Sequence, residues 1–149
     1  MRAIVQRVSS ASVTVDAALI GHCSVGLLLL VGVRRDDSLV HAAKLADKVA
    51  GLRIFNDAEG KMNLALADLP PSDEPNILAI SNFTVYGDTA KNRRPSFMAS
   101  AGFEEARTLF DAFVAELVSR GLHVQTGEFG ADMKVSLTND GPVTVIVDV

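Results

Sequence analysis

The chain has 149 residues, a formal net charge of −4, and 48% hydrophobic against 21% charged residues. That length suits one domain burying roughly 68–70% of its unfolded surface. The longest wholly apolar run, Gly26 to Val33, falls far short of the ~20 residues of a spanning helix. A single cysteine, Cys23, rules out an intramolecular disulfide and suits a reducing cytoplasm.

In chain order, the first stretch, Met1-Arg2-Ala3-Ile4-Val5-Gln6-Arg7, carries polar residues inside its apolar segment, so no signal peptide is read there. Val13 and Val15 alternate with Ser12, Thr14 and Asp16, the period of a half-buried strand. Ala17 to Gly21 turns the chain. Leu27 to Val33, unbroken and apolar, reads as a strand buried on both faces. Asp36-Asp37-Ser38 offers N-caps for a helix bearing Leu39, Ala42, Ala43, Ala46, Val49 and Ala50, which Gly51 ends. Arg53 to Phe55 is a short strand, and Asn56 to Gly60 a turn. Pro70 to Pro75 is an exposed loop. Ile77 to Ile80 forms another buried strand, running into Ser81-Asn82-Phe83-Thr84-Val85.

A second helix carries Ala106, Leu109, Phe110, Phe113, Val114, Leu117 and Val118 on one face. Glu104 and Glu105 sit near its positive end, Arg120 near its negative end, and Gly121 stops it. The last third reads as two alternating strands. Met133, Val135 and Leu137 face one way in the first; Val143, Val145, Val147 and Val149 do so in the second. Gly141-Pro142 lies between them. No repeat or linker interrupts the chain, so residues 1–149 read as one domain, and many strands with two helices indicate a mixed sheet.

Several chemistries lack their signatures. His22, His41 and His123 have no partners at ligand spacing, so no metal site is read. No phosphate-cradling glycine loop follows a strand, so no nucleotide cofactor is expected, and no GxSxG elbow presents a serine. Thr84 ends a buried strand and is either a nucleophile lacking a local base or a β-branched strand residue with a bonded hydroxyl. Lys91, Arg93 and Arg94 are either a basic patch or a solvated loop; an acidic chain gripping an RNA end needs only a local patch.

The two segments Ser81-Asn82-Phe83-Thr84-Val85 and Asn139-Asp140-Gly141-Pro142-Val143-Thr144 resemble the paired motifs of the D-aminoacyl-tRNA deacylases. The likeness continues through Ile4-Val5-Gln6-Arg7-Val8, Arg53-Ile54-Phe55, Gly60-Lys61-Met62-Asn63 and Arg94-Pro95-Ser96-Phe97. Asn82 and Val85 stand where the family pattern has glutamine and leucine. The resemblance implies an α/β fold of two mostly antiparallel or mixed β-sheets, with two main helices packed on one of them in β/β/α layers.

It also implies a homodimer hydrolysing D-aminoacyl-tRNA and glycyl-tRNA without metal or cofactor. Ser81, Asn82, Phe83 and Thr84 would act mainly through backbone donors to an oxyanion, with the 2′-hydroxyl of the terminal ribose helping water attack. Gly141 and Pro142, through a cis bond, would exclude L-residues from the neighbouring subunit's site. The substrate-binding set is Phe129 and Met133, beside the terminal adenine or else core residues at a strand entrance, and Arg7, which either holds the Gly-Pro loop or forms a surface ion pair. Asparagine is one methylene shorter than glutamine, and Asn82→Gln is expected to preserve or raise activity. Two other readings stand: a deacylase of a mischarged small L-residue, and a non-catalytic nucleic-acid-binding dimer.

Overall fold

The computed structural model describes residues 1–149. Its strands are β1 (Arg2–Val15), β2 (Ala18–Cys23), β3 (Gly26–Gly32), β4 (Phe55–Asn56), β5 (Met62–Leu64), β6 (Ile77–Ser81), β7 (Val124–Thr126) and β8 (Lys134–Asp148). Two α-helices, α1 (Leu39–Ala50) and α2 (Phe103–Ser119), complete an α/β domain, with a 3-10 turn at Phe83–Tyr86.

In place of two full sheets, one six-stranded sheet carries the fold, beside a small β4–β5 hairpin. The order β2-β1-β3-β6-β7 is mixed: β1 runs antiparallel to β2, β3 and β8, whereas β3, β6 and β7 are parallel. The first half of β1 pairs with β3 and its second half with β2, so the long strand serves two partners along one edge. The sheet curls until β2 faces β7, where the His22 N–H donates to Gln125 Oε1 at 2.8 Å. This curvature leaves no separate second sheet, since both layers share β1.

β3 and β6 are buried on both faces, as their unbroken apolar sequences predict. Leu27, Leu29, Ile77 and Ala79 join the main core with Leu45, Val49, Phe110, Phe113 and Leu117 of the helices. Leu28, Leu78 and Ile80 point the other way, into the curl, with Val8, Val13 and Cys23. The helices cross over between parallel strands and so fall on one face.

The last third is not two strands. β8 is continuous, and its register with β1 runs from Arg2↔Asp148 to Thr14↔Lys134. The register slips between Gln6↔Thr144 and Val8↔Asn139, so Asp140 to Val143 stand opposite Arg7 alone. These residues bulge out of the ladder, where the missing N–H of Pro142 interrupts no ladder pairing. The Arg53–Phe55 strand is displaced, with only Phe55 retained in β4.

Candidate active site

The largest gathering of aromatic side chains surrounds a cavity of about 750 Å³ at the C-terminal end of β6. Its walls come from four stretches: the end of β3 from Leu30 to Val33, β6 and the 3-10 turn, the segment Phe97 to Ala106, and Phe129 to Val135. Ser81, Asn82, Phe83, Thr84, Phe129 and Met133, brought together from two distant parts of the sequence, all line it. Phe83 packs edge-on against Phe97, and Phe103 against Phe129, each pair with ring centroids 5.0 Å apart. Gly130 allows the second pair: it has φ of +81°, and a Cβ there would lie 2.6 Å from the Phe103 ring.

The turn after β6 is built by Asn82. Its Oδ1 accepts from the Thr84 N–H at 3.1 Å and from the Thr84 hydroxyl at 2.6 Å, an N-cap on a single turn. The Asn82 N–H donates to Val31 O, and the Asn82 carbonyl accepts from the Val85 N–H. The N–H groups of Asn82 and Thr84 are thereby engaged within the chain, whereas the Phe83 N–H has no intramolecular acceptor. Its direction is set nevertheless, because it shares a peptide plane with the Asn82 carbonyl that Val85 holds. The Phe83 carbonyl accepts from the hydroxyl of buried Ser100 at 3.0 Å, fixing the next plane too.

Ionisable chemistry is sparse here. Asp132 is the one acid or base among the lining residues, and it lies exposed, 3.7 Å from Lys134. Burial, followed by the charge of Asp37, pushes the Tyr86 phenol up to about 12, so it supplies no phenolate base at neutral pH. His22, His41 and His123 all lie outside the cavity. Thr84 does not end the buried strand, as its sequence position suggests; it lies exposed in the 3-10 turn beyond β6, where its hydroxyl donates to Asn82 and no base lies beside it.

The Gly141–Pro142 bond is cis, and neither residue lines the cavity. Both are exposed at the tip of the β8 bulge. Arg7 is buried beneath them and also lies outside the cavity. Its Nη1 donates to Ile54 O at 2.7 Å, and its Nε lies 3.0 Å from the Asp140 carboxylate. Asn139 Nδ2 donates to the carbonyls of Arg7 and Val143, at 2.8 and 2.9 Å, closing the base of the bulge.

Sequence reasoning passed over Ser100, Phe103 and the wall formed by Phe97. Phe97 ends the Arg94-Pro95-Ser96-Phe97 segment that carries part of the resemblance; Ser100 and Phe103 have no local signal.

The fold is shared with solved structures. One described as c-Myc DNA Unwinding Element Binding Protein superposes with a TM-score of 0.91 at 32% identity, covering 100% of this chain and 99% of its own. Another, described as a probable eukaryotic D-amino acid tRNA deacylase, has the same fold at a TM-score of 0.82 and 17% identity, with 99% and 98% covered. The architecture and its motif-lined cavity define a class, and the sequence places the chain within it.

The model of the D-Tyr-tRNA(Tyr) deacylase family matches residues 4–148. A D-aminoacyl-tRNA deacylase of Bacillus thuringiensis (strain Al Hakam) is 51% identical over 148 residues, 99% of each chain. Those of Clostridium beijerinckii and Thermus aquaticus are each 49% identical over 99% of this chain and 97% and 95% of their own. This chain belongs to the D-Tyr-tRNA(Tyr) deacylase family.

Proposed function

We propose that this protein hydrolyses the ester joining a D-amino acid or glycine to the 3′ end of tRNA, removing wrongly charged tRNA from the translating pool. The observation that carries the reading, beyond membership of the family, is the unpartnered N–H of Phe83, held by its turn in a residue that lines an aromatic cavity. A water oxygen attacks the ester carbonyl carbon, and the carbonyl oxygen gains charge opposite that N–H. The carbon–oxygen bond to ribose then breaks, the ribose oxygen takes the proton from water, and the free amino acid leaves. One preorganised donor of this kind is worth about 2.7–4 kcal/mol of barrier.

The substrate brings the rest of the chemistry. An aminoacyl ester is already activated, and the neighbouring 2′-hydroxyl of the ribose orients the water, so a site poor in acids and bases suffices. Phe129 and Met133 flank the terminal adenine, where stacking contributes about 1–3 kcal/mol per base.

Chirality is assigned to the bulge. Gly141 and Pro142 of the second subunit in a homodimer reach over the cavity and leave no space where an L-side chain would project. Such selection works by exclusion. Arg7 supports that bulge from below and touches no substrate. Glycine has nothing to exclude and is hydrolysed as well.

The test is hydrolysis of D-tyrosyl-, L-tyrosyl- and glycyl-tRNA, at equal charging, by protein kept in chelator. Loss of the D- and glycyl-esters with the L-ester intact is the expected result. Stable D-tyrosyl-tRNA would overturn the activity. Stable glycyl-tRNA alongside rapid D-ester loss would overturn selection by exclusion.

A further inference from the structure

Most cations of this acidic chain are already occupied. Arg2, Arg7, Arg34, Lys61, Arg120 and Lys134 pair with carboxylates, and Arg35, Lys48 and Arg53 donate to backbone carbonyls. Of the fourteen lysines and arginines, Lys44, Lys91, Arg93, Arg94 and Arg107 make no side-chain hydrogen bond or ion pair. Three of these fall within four consecutive positions, and all three are exposed. That is a concentrated positive field on a molecule whose net charge is −4.

The loop carrying them is tied to the cavity at both ends. It leaves from Gly87, directly after the 3-10 turn, and returns at Phe97, which lines the cavity and packs on Phe83. Asp88 and Ser96 close its base with reciprocal bonds, Asp88 N–H to Ser96 O at 2.8 Å and Ser96 N–H to Asp88 O at 2.9 Å. The one acid in the loop, Asp88, turns its carboxylate back onto the Ala90 N–H at 2.8 Å. A closed loop so anchored carries three free cations on a segment that starts just after cavity-lining Thr84 and ends at cavity-lining Phe97.

We propose that this loop, Asp88 to Ser96, is the phosphate grip of the enzyme. Lys91, Arg93 and Arg94 bind backbone phosphates of the single-stranded 3′ end of tRNA while its last residue enters the cavity. The inference rests on the deacylase reading for the identity of the RNA. Phosphate contacts of this kind position a nucleic acid without reading its sequence. The grip therefore serves any tRNA, and the aminoacyl group is judged in the cavity.

Binding of uncharged tRNA between 50 and 200 mM KCl tests it, by fluorescence anisotropy. Three phosphate contacts account for about a 20–40-fold loss of affinity across that range, from a slope of about −0.7 to −0.9 per contact. The variant Lys91→Ala/Arg93→Ala/Arg94→Ala is expected to bind more weakly at 50 mM and to lose that share of the salt dependence. The charge-matched control Lys44→Ala/Lys48→Ala/Lys61→Ala is expected to keep the wild-type slope. In turnover, the loop variant should raise KM for D-tyrosyl-tRNA with kcat unchanged, yet cleave phosphate-free D-tyrosyl-adenosine at the wild-type rate.

An unchanged slope, or equal flattening by the control, would overturn the proposal. So would equal slowing on D-tyrosyl-adenosine, which would mean that the loop shapes the cavity. If the wild-type protein cleaves neither ester, the deacylase reading fails by itself, and the tRNA-binding slopes still decide whether the loop grips phosphate.

Discussion

Replacing Arg7 by methionine tests how the β8 bulge is held. The guanidinium is buried, and its shortest bond runs to the carbonyl of Ile54, itself buried. A hydrogen bond from a charged donor contributes about 1.5–3 kcal/mol, and its loss leaves that carbonyl unpaired. The second contact, to Asp140, adds less than about 1 kcal/mol because that carboxylate is 56% exposed and rehydrates. Methionine retains much of the packing of the stem. The expected cost is about 2–4 kcal/mol, which for a domain of this size lowers Tm by roughly 4–16 °C. Thermal unfolding followed by circular dichroism reads it directly. Asp140→Asn should shift Tm far less, and Arg7→Lys should fall near methionine, since one ammonium cannot span both acceptors. Below the melting range, D-tyrosyl-tRNA hydrolysis by Arg7→Met should drop as the bulge loosens. A Tm within about 2 °C of wild type would refute the assignment of Arg7 as the tie, given the burial the structure assigns it.

Asn82→Ala removes the cap on the 3-10 turn after β6 at a cost of about 0.5–2 kcal/mol, so on the proposed mechanism the rate of D-ester hydrolysis should fall by up to about thirtyfold; Asn82→Asp keeps the acceptor and should lose less. Asn82→Gln carries its carbonyl one methylene past the Thr84 N–H, so the structure reverses the sequence-based expectation and the rate should fall; a preserved rate would show the cap to be dispensable. Burial pushes the Cys23 thiol up to about 11. Its folded pKa lies above the unfolded value of about 8.5, so its contribution to stability is complete below that pH and is lost as pH rises toward 11. Labelling by a disulfide reagent at pH 8 should track unfolding, and prompt labelling of native protein would contradict the burial. Gly26→Ala places a Cβ 1.9 Å from the Asn76 carbonyl oxygen, forcing backbone to move where β3 meets β6. Overpacking of this kind costs about 1–3 kcal/mol, and a urea midpoint equal to wild type would contradict it.

Local chemistry was legible wherever neighbours along the chain determine the outcome. The unbroken run in β3 announced burial on both faces, and the stripe through Leu109, Phe113 and Leu117 announced α2 and its buried side. The motif around Ser81 was legible through its family resemblance, whereas the turn that Asn82 makes by capping Thr84 came only with the structure. Side-chain periodicity reports which face is apolar; it carries no information about which strand lies alongside. That is why β8 read as two strands: the alternation breaks at Gly141-Pro142, and only pairing with β1 on both sides of the bulge makes it one. Arg7 read equally well as a surface ion pair until the slip in register set it beneath four bulged residues. The cavity was decided only in three dimensions as well, since the curled sheet and crossing α2 bring Phe83, Phe103 and Phe129 around one space. Contacts between residues far apart in the chain depend on how all the elements close together, and no segment encodes that closure alone.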